Sequence, residues 1–312
     1  MLLDAHKNAL MPDGGVGSCF GFAVRSTLPF HYLRHGGGDT LDVCAPSSPP
    51  HGTQGDLIFE WTPTPALPFE GRLYQDRDNC FHLWVANSGW FFVDPHTPRV
   101  ALPDDSKIVR REERLWSIPA ILCFLERGDL SLHAAAVEVN GEALLLGAPR
   151  AFGKTTLAAA FLTAGYRLLS EDVTCVRTSG SPIVVPGPAM LRVRHDIARQ
   201  LEIRNAKRLA ETDDRVHYAV NVAARGDCDP VPIRAVIFLR SRDDGFRLRR
   251  VLPADAVRDL WPLSFRLPTD RGRSRCFTGL ADLTRAIPVW NLDRPLRIAD
   301  LPATVRFIVE NI

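Results

Sequence analysis

The chain has 312 residues, 46% of them hydrophobic and 24% charged, an ordinary balance for a folded protein large enough for one big core or two smaller ones. Its 38 basic and 36 acidic side chains leave a formal charge of +2, which argues against a general nucleic-acid or membrane-surface role. Seven cysteines stand far apart with no Cys-x-x-Cys pair, a pattern of reduced thiols rather than of a disulfide framework or a cysteine zinc site. The first residues hold only a short apolar run broken by charge and Pro12, so neither a signal peptide nor a membrane span is expected and the protein reads as cytoplasmic. Up to about residue 105, Gly, Pro and aromatic residues punctuate short apolar runs. Strands are expected at Cys19–Val24, Leu57–Trp61, Phe81–Val85 and Trp90–Val93, with turns at 35–38, 47–55 and 63–68, which makes 1–105 a mostly β N-terminal domain. In 106–129 the spacing of Ile108, Leu115, Ile118, Ile121, Leu122 and Leu125 predicts a helical linker, kinked or broken at Pro119.

From 130 to 312 the pattern becomes α/β. Two apolar segments, Leu132–Val139 and Glu142–Leu146, flank Asn140-Gly141 and predict a hairpin with a primed turn. Good helix formers over 155–164 follow, stopped by Gly165. A short apolar segment at 166–169 leads into Ser170-Glu171-Asp172 and a strand at 173–176. Further strands are expected over 183–194, 234–240 and 289–292, with helices over 255–260 and 303–310.

Between the hairpin and the first helix lies Ala148-Pro149-Arg150-Ala151-Phe152-Gly153-Lys154-Thr155-Thr156, preceded by Gly147. This is a permissive form of the phosphate-binding loop, with Ala148 where the first glycine usually stands and a four-residue spacer before Gly153. The chemistry requires this order of strand, loop and helix, because loop and helix-start amides converge on phosphate oxygens while the helix dipole adds positive potential. Lys154 would reach the β- and γ-phosphates and the Thr155 hydroxyl would coordinate Mg²⁺. Ala151 occupies a position that usually holds glycine, and a Cβ at positive φ costs about 1 kcal/mol. Glu171-Asp172, one strand beyond the loop's helix, is the acid pair such a site needs if the crossover keeps its usual right hand.

These segments together resemble the catalytic domain of the HPr serine kinase family, in the HPr kinase/PEP carboxykinase-like class of P-loop folds. The resemblance is carried by Leu132-His133-Ala134-Ala135-Ala136-Val137, the loop, and Gly165-Tyr166-Arg167-Leu168-Leu169-Ser170-Glu171-Asp172-Val173. It extends more loosely through Pro186-Gly187-Pro188-Ala189-Met190-Leu191-Arg192, the Arg215-Val216 stretch and Ile287-Pro288-Val289-Trp290-Asn291-Leu292. In length and layout the chain is similar to the family's members in peptide-tailoring clusters, including kinases of lasso peptide precursors.

The resemblance implies ATP and Mg²⁺ as cofactors and a catalytic domain with a mixed sheet. It also implies Glu171 as general base, Asp172 with Thr155 as metal ligands, His133 beside the reacting phosphate, and Arg215 as a neutralising cation. The family usually carries Asp where Glu171 stands, and smaller residues where Arg150-Ala151-Phe152 stand. The expected acceptor is a serine of a peptide or small protein, with neither nucleic acid nor membrane as partner and a homo-oligomer left open. Two alternatives stay open beside it: a nucleotide-binding scaffold without turnover, and a kinase of a free small molecule.

Overall fold

A computed structural model describes residues 16–45, 55–63, 70–103, 108–149, 151–222 and 226–312. The start of the chain, most of the turns expected at 47–55 and 63–68, and Arg150 fall outside these residues. The architecture is mixed α/β, built mostly of strands in two nine-stranded sheets and a three-stranded one.

The first sheet contains β1 (Gly17–Cys19), β2 (Phe22–Arg25), β3 (Arg34–His35), β4 (Asp39–Cys44), β5 (Asp56–Trp61), β6 (Gly71–Gln75), β7 (Phe81–Val85), β8 (Gly89–Asp94) and β9 (Arg99–Ala101). Their spatial order is β3-β1-β2-β4-β9-β8-β7-β6-β5. The run expected as one strand at 19–24 is instead a hairpin, because Phe20 and Gly21 both take positive φ, +52° and +72°, and reverse the chain between β1 and β2. The linker is two helices, α1 (Ile108–Leu115) and α2 (Ile118–Glu126). Pro119 falls in the first turn of α2, where its missing N–H costs nothing, so the chain breaks at Trp116-Ser117 rather than kinking. Leu115, Trp116 and Phe124 from these helices join Phe20, Phe22, Leu83 and Phe91 in one apolar core.

The second sheet is built on two long strands, β10 (Leu130–Val139) and, further on, β18 (Val231–Ser241). Its other members are β11 (Glu142–Gly147), β12 (Arg167–Ser170), β13 (Val173–Arg177), β14 (Ile183–Val185), β19 (Arg247–Val251), β20 (Ser264–Phe265) and β21 (Val289–Arg294). The β10–β11 hairpin forms as expected, its turn carried by Asn140 and Gly141 at φ +54° and +81°. The helix α3 (Lys154–Thr163) follows the loop and ends before Gly165, whose φ of +96° stops it. The segment 183–194 is not one strand. β14 stays in this sheet, while β15 (Met190–Arg194) joins β16 (Ala206–Glu211) and β17 (Arg215–Val220) in the three-stranded sheet. Pro186 and Pro188 cannot donate to a ladder, and Gly187 packs so closely on Phe20 that a Cβ would come within 2.7 Å of its ring.

The remaining helices are α4 (His195–Gln200), α5 (Pro253–Leu260), α6 (Asp270–Ala286) and α7 (Leu301–Asn311). α6 is unanticipated: Arg271, Gly272, Arg273, Ser274 and Arg275 dilute its opening turns, although Cys276, Leu280 and Leu283 form a buried stripe. Thr269 caps it, accepting the Gly272 N–H at 3.0 Å. No helix among the described residues is long and apolar enough to cross a membrane. All seven cysteines are free thiols.

One buried ion pair ties the first sheet to the second. Arg34 of β3, 1% exposed, meets Asp227 at 2.7 Å and also donates to the carbonyls of Gly187 and Leu168 at 2.6 and 2.7 Å. Leu168 lies on β12, three residues before the acid pair begins, so this contact fixes the strand that presents Glu171.

Candidate active site

The registry of β10 brings the site together. Ala134 pairs with Gly147, the residue where β11 runs into the loop, and His133 pairs with Val173, the residue after the acid pair. β12 and β13 both run antiparallel to β10, one against Ala136–Glu138 and the other against Leu130–His133, and Glu171-Asp172 interrupt the pairing between them. The Ser170 and Thr174 hydroxyls, 2.6 Å apart, hold this interruption, and Thr174 donates to the Ala134 carbonyl at 2.8 Å. Because β11 and β12 flank β10 in the same direction, the loop after β11 and the acid pair after β12 open on one edge of the sheet.

Ala148 is buried and Pro149 exposed, while Ala151 and Gly153 adopt φ of +71° and +73°. Ala151 therefore takes the left-handed conformation at the point where a glycine was expected, a strain of about 1 kcal/mol. Gly153 is the N-cap of α3, so the amides of Lys154, Thr155 and Thr156 lie in a first turn with no carbonyl one turn earlier to accept them. Phe152 packs on the core around α3.

The side chains expected to act converge. Lys154, only 8% exposed, places Nζ 3.0 Å from His133 Nε2 and 3.3 Å from Asp172 Oδ1. His133 Nδ1 is 3.0 Å from the same Asp172 oxygen, so one tautomer, protonated on Nδ1, donates to Asp172 while Nε2 accepts from the ammonium. His133 is exposed, its side chain half open to solvent, unlike a histidine satisfied inside a core. The Thr155 hydroxyl donates to Glu171 Oε1 at 2.8 Å, and Glu171 is buried.

Electrostatics follows from this crowding. Burial pulls the Lys154 ammonium below its usual range, opposed by the charges of Asp172 and Glu171. Burial pushes Asp172 upward, but the His133 hydrogen bond and the charges of Lys154 and Arg192 outweigh it and hold that carboxyl well below the usual carboxylate range.

The cation that spans both acids is Arg192. Its Nε lies 3.0 Å from Glu171 Oε2, Nη2 lies 3.2 Å from Asp172 Oδ2, and Nη1 reaches Glu113 of α1. Arg215 stands on the neighbouring strand β17 opposite Arg194, and its guanidinium meets Asp214 at 3.4 Å. Strand alternation turns Arg192 away from the core: Leu191 and Val193 are buried, so Arg192 projects from the other face of an otherwise apolar segment. Glu113, from a helix far upstream, left no mark in the sequence.

The donor set suits a hard cation. Thr155 Oγ1 and Glu171 Oε1, 2.8 Å apart, are spaced like two adjacent ligands of an octahedron with metal–oxygen bonds of about 2.1 Å. Among the described residues no cluster of three His, Cys, Asp or Glu side chains forms a self-sufficient metal cage, and Mg²⁺ in such sites characteristically relies on phosphate and water for its remaining ligands.

No family model matches the chain, and no curated protein matches it. Among solved structures it is similar to the Hpr(Ser) kinase/phosphatase from Coxiella burnetii, at 14% identity and a TM-score of 0.32, over 58% of this chain and 94% of that one. A likeness of that size carries no argument, and function rests on the chain's own residues.

Proposed function

We propose that the protein is an ATP- and Mg²⁺-dependent kinase that transfers the γ-phosphoryl group to a hydroxyl, with a serine of a peptide precursor or small protein as acceptor. The observation that carries this reading is the convergence of Lys154, Thr155 and His133 on the adjacent carboxylates Glu171 and Asp172 at the mouth of a glycine-capped helix. The loop amides and Lys154 grip the triphosphate tail, and Lys154 exchanges its contact with Asp172 for phosphate oxygen. Glu171 accepts the acceptor's hydroxyl proton as that oxygen bonds to the γ-phosphorus, the bond to the β–γ bridging oxygen breaks, and ADP leaves. Mg²⁺ would be held by Thr155 with a carboxylate of the acid pair and would supply charge neutralisation on the phosphates. His133 orients Lys154 and Asp172 through its two ring nitrogens, and Arg192 keeps both acids in place.

The test is mass spectrometry of candidate serine peptides after incubation with ATP and Mg²⁺. A gain of one phosphate that disappears in Lys154→Ala, with an unchanged circular dichroism spectrum, supports the kinase. Tight MgATP binding with no phosphorylated acceptor supports the scaffold, and phosphorylation of a free compound but not of peptides supports the small-molecule kinase.

The 2.8 Å contact of Thr155 with Glu171 favours a second distribution of roles, in which Glu171 binds the metal and Asp172, backed by His133, takes the proton. Glu171→Gln and Asp172→Asn separate the two. The metal-binding acid is the one whose loss raises the Mg²⁺ concentration needed for half-maximal rate, and the base is the one whose loss removes the acidic limb of the pH profile.

A further inference from the structure

Arg294 is the last residue of β21 and lies in the interior, 1% exposed. β11, β18 and β21 run parallel, with Gly147 opposite Phe238 and Phe238 opposite Asn291, so Arg294 stands just past the level at which the phosphate loop opens. Its Nη2 donates to the carbonyls of Phe152 and Gly153 at 3.1 and 3.4 Å, and Nη1 donates to the carbonyl of Pro295 at 3.0 Å. Among the described residues Nε has no hydrogen-bond partner and no carboxylate pairs with this guanidinium. Burial alone lowers its pKa to about 10. The approach to the loop is close: a Cβ on Gly153 would lie 2.8 Å from Nη2 and would displace the guanidinium, and the φ of +73° favours glycine there in any case.

A buried cation without a counter-charge is costly, and one placed against a phosphate loop calls for an anion. In a trans peptide the C=O and N–H point in opposite directions. A guanidinium bonded to the carbonyls of Phe152 and Gly153 therefore sits behind the two peptide planes whose N–H groups, those of Gly153 and Lys154, face the other way. We propose that Arg294 is a positioning residue for the phosphate cradle: from behind the loop it sets and polarises the Gly153 and Lys154 amides, and the phosphates of a bound nucleotide provide the counter-charge it lacks. Charge-assisted bonds in a site shielded from water transmit this effect across a single peptide unit. The inference rests on the nucleotide-binding reading of the loop and adds the cation that shapes it.

Calorimetry on the full chain tests it, with MgATP and inorganic pyrophosphate as probes, on wild type, Arg294→Met and Arg294→Lys, alongside thermal melts without ligand. Arg294→Met is expected to weaken MgATP and pyrophosphate by the same factor, about 10- to 100-fold, because the loss lies in the grip on phosphate. Arg294→Lys, which keeps charge but not the fork, falls between. The ligand-free melting temperature of Arg294→Met should hold or rise, since an uncompensated charge has left the interior. Wild-type binding that Arg294→Met leaves unchanged overturns this inference alone. If Arg294→Met melts early, Arg294→Lys decides, and wild-type affinity in that variant also overturns it. Wild type that binds neither probe overturns the nucleotide site and the inference together.

Discussion

Glu112 of α1 is 2% exposed, and its carboxylate accepts the backbone N–H groups of His31 and Tyr32 at 2.7 and 2.9 Å and the Trp116 indole N–H at 3.3 Å. Burial raises its pKa from 4.5 to about 7, although all three donors pull the other way. Between those two values the folded protein holds a proton that the unfolded chain has released. The stabilisation from that proton is complete below about pH 4.5 and is lost as the pH climbs through 7. At about 1.4 kcal/mol per pH unit, the window amounts to about 3 kcal/mol. Glu112→Gln, neutral throughout, removes the titration while keeping one acceptor oxygen. Urea unfolding of both proteins at half-unit steps from pH 4.5 to 7.5 gives a difference curve in which groups titrating equally in both cancel. The variant should gain about 3 kcal/mol on wild type across that window. Curves that stay parallel would show that the buried carboxyl ionises as readily folded as unfolded, and the argument from its burial would fail. The consequence reaches the site, because Glu113, the next residue, is the one that α1 sends to Arg192.

Replacing Ala151 with Gly relieves the left-handed strain at φ +71° but frees the unfolded chain, so a net gain of about 0.5 kcal/mol or less is expected, read as a slightly higher melting temperature with MgATP affinity held or improved. A clear loss of stability would mean that the Ala151 methyl makes contacts that outweigh the strain. Arg192→Met leaves Glu113, Glu171 and Asp172 without the cation they share, and kcat/KM for peptide phosphorylation should fall about 100-fold, with MgATP affinity changing far less. A variant with near wild-type kcat/KM would remove Arg192 from the catalytic arrangement.

What could be read in the sequence is what local chemistry decides. Asn140-Gly141 dictates a primed turn, Gly165 stops α3, and Gly153-Lys154-Thr155 marks the loop, because each acts within a few residues of itself. The meeting of loop and acid pair was legible too, through the handedness of a strand–helix–strand crossover. Other elements depend on register between distant segments. The choice between Arg192 and Arg215 turns on β15 and β17 pairing so that Arg192 faces His217 while Arg215 faces Arg194, and no window of sequence contains that pairing. Glu113 and Arg294 lie further still, more than 50 and 120 residues from Glu171 in the chain, and each looks in isolation like an ordinary surface charge. α6 escaped for a different reason: its buried stripe begins only after an arginine-rich first turn and a half.

The balance of charge explains how these distant residues serve one site. Asp172 and Glu171 hold the Lys154 ammonium and the Thr155 hydroxyl, the groups that the proposed function assigns to a nucleotide. Under that proposal a nucleotide would break both contacts, and two acids released together would repel each other and move apart. Arg192 prevents this, since it bonds each acid through a different nitrogen and is itself anchored to Glu113. On the far side of the loop Arg294 bonds the Phe152 and Gly153 carbonyls, and the role proposed for it is complementary: it would keep the backbone in shape while Lys154 changes partners. In this proposed scheme one arginine would fix the anions and the other the amides, so that only Lys154 and Thr155 would need to exchange contacts for a triphosphate to enter.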